Sequence, residues 1–115
     1  MNAIENYLGQ KIPDGWETRP IECDGVHYGD VMLQGSEIHF AVFPEYRRRG
    51  WSRRVARTVL GKLLEERKFL TTRSEPGDAT ESIIRRLGFV QTNEDANYRY
   101  WWLDTLPFER KHHGH

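Results

Sequence analysis

The chain has 115 residues, which fits one domain with a modest hydrophobic core, and its 37% apolar and 30% charged residues describe a globular protein rather than a disordered one. Seventeen basic residues balance seventeen acidic ones, so global charge gives no argument for nucleic acid or an anionic membrane. No apolar run approaches the roughly 18 residues that span a bilayer.

Cys23 is the single cysteine, which excludes a disulfide within the chain and points to a reducing compartment. A packed or strand-edge thiol is the preferred reading of it over a nucleophile. The start "MNAIENYLGQ" has neither the basic residues nor the apolar core of a signal peptide, so the expected location is cytoplasmic.

In chain order, residues 1–15 read as a short helix or irregular lead ending at "IPDG". Residues 16–23 are extended, with Pro20 marking an edge strand. Asp24-Gly25 is a turn, and "VHYGDVML" (26–33) alternates as a strand. A second turn, "QGSE", leads into "IHFAVF" (38–43), with Ile38, Phe40 and Val42 on one face. Pro44 ends that strand. From Trp51 to Arg67 the spacing of Val55, Ala56, Val59, Leu60, Leu63 and Leu64 predicts an amphipathic helix. "KFLTTRS" (68–74) is a strand. Residues 78–87 form a short helix with Asp78 as N-cap and Gly88 as its stop. Two further strands, 89–93 and 97–104, flank an "EDAN" turn. The order β-β-β-α-β-α-β-β predicts an α/β fold: a mixed antiparallel and parallel sheet with a central β-α-β crossover and flanking helices. Residues 1–106 form a single domain, and 107–115 are expected to be a disordered tail.

The charge is uneven. Residues 47–57 hold six arginines and no acid. The run Arg47-Arg48-Arg49-Gly50-Trp51-Ser52 joins a strand to a helix, and the first helical turn offers unpaired N–H groups and a positive dipole end. That is an anion site in outline. Gly50 lets a phosphate approach without a Cβ in the way, Ser52 is small and carries a hydroxyl, and the arginines add donors and charge.

The stretch "IHFAVFPEYRRRGWSRRVARTVLGKLLEE", followed by "IIRRLGFVQT", resembles the GCN5-related N-acetyltransferases (GNAT) over roughly residues 26–104. The matching signature is Arg or Gln, two residues, Gly, one residue, then Gly or Ala; Ser52 departs from its last position. The resemblance implies transfer of an acyl group, usually acetyl, from acetyl-CoA as donor to an amine acceptor. It assigns the pyrophosphate to Arg47, Arg48, Arg49, Gly50, Trp51, Ser52 and Arg53, and the pantetheine arm to the strand at Ala41, Val42 and Phe43. A backbone N–H of that strand would polarise the thioester carbonyl.

A base must then reach the amine, and Glu37 or His39 fits, both on the face opposite Ile38 and Phe40. The plainer alternatives are a solvated turn carboxylate and a satisfied strand histidine. The tyrosine that many members place four residues before the Gly of Leu-Gly-Phe is Ile84 here, and an Asn seven residues before it is Gly77. Tyr98 and Tyr100 are substitutes for that acid, or aromatics packed across paired strands.

The N-terminal region is also short against the family's. An active enzyme is the leading reading, and a non-catalytic binding or assembly protein on the same fold is the alternative. Nucleic-acid binding through Tyr46, the arginines and Trp51 is disfavoured by the neutral net charge. Arg53, Arg54 and Arg57 are read as a solvated face or as contacts to outlying phosphate. An exposed Trp101 or Trp102 would suit a homodimer interface or an acceptor groove. His112, His113 and His115 lack partners at ligand spacing, so no metal is expected.

Overall fold

The computed structural model describes residues 14–46 and 52–107. Six strands form one sheet: β1 Glu17–Cys23, β2 Val26–Gln34, β3 Glu37–Val42, β4 Leu70–Ser74, β5 Val90–Glu94 and β6 Arg99–Leu103. Two helices, α1 Arg53–Arg67 and α2 Thr80–Arg86, and a 3-10 turn at Pro44–Tyr46 complete the described elements. The strands lie in the order β1-β2-β3-β4-β6-β5. β3 and β4 are parallel, joined by the α1 crossover, and the other neighbours are antiparallel. This is a mixed sheet, with strands and helices in the succession the sequence predicts. No helix among the described residues is long and apolar enough to cross a membrane.

Alternation along the strands separates the two faces of the sheet. Val31 and Leu33 of β2, Ile38 of β3, Leu70 of β4, and Trp101 and Leu103 of β6 point to one side. There they join Val55, Ala56, Leu60 and Leu63 of α1 and Ile84 beside Leu87 at the end of α2 in a single buried cluster. Full burial of one such Leu or Ile contributes about 1.5–3 kcal/mol. Both helices therefore cover the same face. The other face carries Glu37, His39, Thr71, Arg73, Tyr100 and Trp102.

Pro20 sits in β1, an edge strand, where its missing N–H breaks no inner ladder. Ion pairs tie β1 to the end of α1: Arg19 Nη2 lies 2.8 Å from Glu66 Oε1, and Arg67 Nη2 lies 2.7 Å from Glu17 Oε1. Asp78 caps α2 by accepting from the Thr80 N–H at 2.8 Å, one residue before the helix's own N-cap position, Ala79. Gly88, at φ +102°, follows the last helical turn.

Arg54 is exposed, as a solvated face implies, and its Nε also lies 2.7 Å from Asp24 Oδ2, because the β1–β2 turn comes up beside the first turn of α1. One expectation is corrected. Neither tryptophan of β6 is exposed. Trp101 is buried, donating from Nε1 to Ser74 Oγ at 2.9 Å. Trp102, on the opposite face, is half-buried because Phe69 stacks on it, with ring centroids 4.1 Å apart and planes 8° from parallel.

Candidate functional site

The parallel pair at the centre of the sheet is short. Thr71 N–H donates to Ser36 O at 2.7 Å, and Glu37 pairs with Thr71. Thr72 Oγ1 then donates to Ile38 O at 2.8 Å, a side chain taking the place of the next backbone bond. Beyond that point both strands continue but the ladder does not, so β3 and β4 part towards their C-terminal ends.

Hydrogen-bond parity decides which β3 groups face the opening. Phe43 N–H donates to Tyr28 O at 2.9 Å, so Phe43 turns its backbone towards β2. In an antiparallel pair the bonded positions alternate, so Ala41 and His39 also bond towards β2. Ile38, Phe40 and Val42 turn theirs towards β4, as the bond from Thr72 to Ile38 O requires. Of the three residues the sequence assigns to a pantetheine arm, Val42 therefore presents its backbone to the opening, whereas the polar groups of Ala41 and Phe43 face the neighbouring strand.

The 3-10 turn and then α1 follow β3. Ser52 is the N-cap of α1, with its Oγ accepting from Val55 N–H at 3.2 Å and its carbonyl from Ala56 N–H at 2.9 Å. Arg53 is the first helical residue. Arg47, Arg48, Arg49, Gly50 and Trp51 lie outside the described residues.

On the face that the described helices leave uncovered, Glu37 and His39 form one unit. Glu37 Oε2 lies 2.6 Å from His39 Nε2. A carboxylate only accepts, so Nε2 is the donor in this bond. The Trp16 ring packs against His39 at 5.6 Å between centroids, limiting the imidazole's rotation. Across the opening, Arg73 of β4 points to the same face. Its Nε stands 3.9 Å from Glu37 Oε2, and its guanidinium lies 4.8 Å from the centre of the Tyr98 ring.

Tyr98 and Tyr100 meet edge to face at 6.4 Å, and Tyr100 Oη donates to Asp95 Oδ2 at 2.7 Å. That bond raises the Tyr100 hydroxyl above its ordinary pKa and ties it to the β5–β6 turn. Ile84 is buried in the core and has no proton to give. Among the described residues no group of three or more His, Cys, Asp or Glu is placed to hold a metal ion.

Sequence reading missed Arg73. Its alternation in "LTTRS" gives its face, but its approach to Glu37 depends on the parallel register. A second histidine–carboxylate pair also went unread: His27 Nε2 lies 3.0 Å from Oδ1 of the buried Asp30.

No protein-family model matches the chain, and no curated protein matches it in sequence. Among solved structures, it is similar to the ribosomal-protein-S18-alanine N-acetyltransferase from Escherichia coli. The identity is 17%, with 86% of this chain and 74% of that chain covered and a TM-score of 0.49. At that identity the likeness transfers no substrate or activity.

Proposed function

We propose that this protein is an acyl-CoA-dependent N-acyltransferase, most simply an acetyltransferase acting on an amine. The observation that carries the reading is the opening between β3 and β4, with the backbone of Val42 turned into it and the capped N-terminus of α1 ten residues further on. An extended pantetheine arm fits an unpaired strand edge, since it offers amide groups to backbone partners as a neighbouring strand would. The N-terminus of α1 and the arginine-glycine motif supply the anion-binding end.

In this reading the amine enters from the face that carries Glu37 and His39, because the other face is filled by the core. His39 Nδ1 takes a proton from the amine, while Glu37 holds the Nε2–H and stabilises the imidazolium that forms. The amine nitrogen adds to the thioester carbonyl, whose developing oxyanion is met by a backbone N–H of β3. The C–S bond then breaks, giving the amide and the CoA thiolate, which takes up a proton to leave as the thiol.

Buried Ile84 favours a second reading, a GNAT-like scaffold that binds but does not catalyse. Calorimetric titration with acetyl-CoA and desulfo-CoA, repeated on Gly50→Glu, tests the donor site. The expected result is saturable binding between about 1 μM and 1 mM that the introduced carboxylate abolishes. No binding by the wild type at millimolar ligand defeats the enzyme reading. Binding of acetyl-CoA without transfer to any amine supports the second.

A further inference from the structure

The described arginines fall into distinct groups. Arg19, Arg54, Arg67 and Arg99 each approach a carboxylate at 2.7–2.8 Å. Arg73 does not. Its nearest carboxylate oxygen is 3.9 Å away and is already engaged by His39 at 2.6 Å. Its guanidinium makes no hydrogen bond among the described residues. It is nevertheless held in position, because it stacks over Tyr98. Tyr98 is itself held by the β5–β6 turn, where Asp95 Oδ1 accepts from Tyr98 N–H and Asn97 N–H, both at 2.8 Å. A stacked guanidinium keeps its planar fork of N–H donors at the edge, the geometry that matches a carboxylate. The Arg73 side chain is 45% exposed, so a solute can reach it.

Arg73 also stands at a particular distance from the acyl-transfer machinery. It sits across the β3–β4 opening from the Glu37–His39 unit, on the same face. An anionic and a cationic group are thus offered side by side, 3.9 Å apart. In a free α-amino acid the amine nitrogen and the carboxylate oxygens are three bonds apart, at most about 3.6 Å. With its carboxylate at Arg73, such a ligand brings its amino group to the same face beside Glu37 and His39. A peptide N-terminus, a lysine side chain or a polyamine has no carboxylate at that distance.

We infer that Arg73 is a specificity-determining residue that anchors the α-carboxylate of the acceptor, and that the acceptor class is a free α-amino acid. The reaction in which that acceptor is consumed rests on the acyltransferase reading above. The anchoring itself does not.

The test uses the full chain in two measurements. The first is acyl transfer from acetyl-CoA, followed by thiol release, to amino acids and to the corresponding amino acid amides, which lack the charge. Wild type is expected to prefer the acids by about 10- to 100-fold in kcat/KM, the range of a charged hydrogen-bonded contact. Arg73→Ala is expected to lose that preference for the acids over the amides, chiefly through KM for the acids, and Arg73→Lys to recover part of it. Equal use of amides by wild type, or an unchanged preference in Arg73→Ala, overturns the inference while leaving the acyltransferase reading intact. The second measurement is direct titration of the same amino acids without acetyl-CoA. Saturable binding that Arg73→Ala abolishes supports the anchor even if no acyl transfer occurs. Binding of acids and amides alike, or no binding of either, overturns it. Arg73 lies outside the core, so an unchanged thermal transition in its variants is the check on folding.

Discussion

Gly29 offers a sharp test of how β3 is held against its neighbour. It lies opposite Val42 in the β2–β3 pair. A Cβ at Gly29 would overlap the backbone of β3, meeting the carbonyl of Ala41 and Cα of Val42. These are ladder atoms, not the ends of flexible side chains, so the overlap is relieved only by displacing β3. Gly29 is not among the glycines with positive φ, so the cost is steric rather than torsional. Overpacking of this kind costs about 1–3 kcal/mol. For a domain of this size each kcal/mol lowers Tm by about 4 °C. Gly29→Ala should therefore unfold at lower urea with an unchanged m-value and melt at least about 4 °C earlier. Gly61→Ala is the internal control. Gly61 lies within α1, and its added Cβ would meet Leu106 Cδ1 at 3.9 Å, an ordinary contact. Helix propensity then predicts a gain of about 0.5–1 kcal/mol. A Gly29→Ala variant as stable as wild type would refute the close approach. If the donor reading holds, the same variant also binds acetyl-CoA more weakly, because Val42 moves.

Two further outcomes follow from the helix ends. Glu81 is buried on α2, and its carboxyl is held below the usual range, first by the Ser74 hydroxyl at 2.7 Å and then by the Gly77 N–H and Arg99, against the opposing effect of burial. A carboxyl lowered in the folded state contributes stability above its unfolded pKa and loses it as pH falls through the folded value. Glu81→Gln should flatten the acid side of the stability-versus-pH curve measured by urea unfolding, and an unchanged slope would count against the network. Ser52→Ala removes the cap of α1 and should cost about 1 kcal/mol in the same assay, with Ser52→Asp retaining most of it.

Much of this protein is legible in the residues themselves. Apolar spacing marks α1, alternation marks β2 and β3, and Pro20 marks an edge, because each signal repeats at the local period of the backbone. Alternation also places Glu37 and His39 together on the face away from Ile38. The Arg-Gly motif and its family likeness are likewise read from neighbours in the chain. What the tertiary structure decides depends on pairing between distant segments. Alternation alone does not insert β6 between β4 and β5, and no propensity reveals that the β3–β4 ladder stops after Glu37 and Thr71. Nor does sequence parity say which backbone edge of β3 faces β2. That follows from the Phe43–Tyr28 bond, and with it the turning of Val42 towards the opening. Arg54 looks like one of many surface arginines until the β1–β2 turn brings Asp24 to it. Arg73 looks like another until the parallel register sets it beside Glu37 and the β5–β6 turn slides Tyr98 beneath it. Local periodicity fixes which way a side chain points, but only long-range hydrogen bonding and packing fix what it points at.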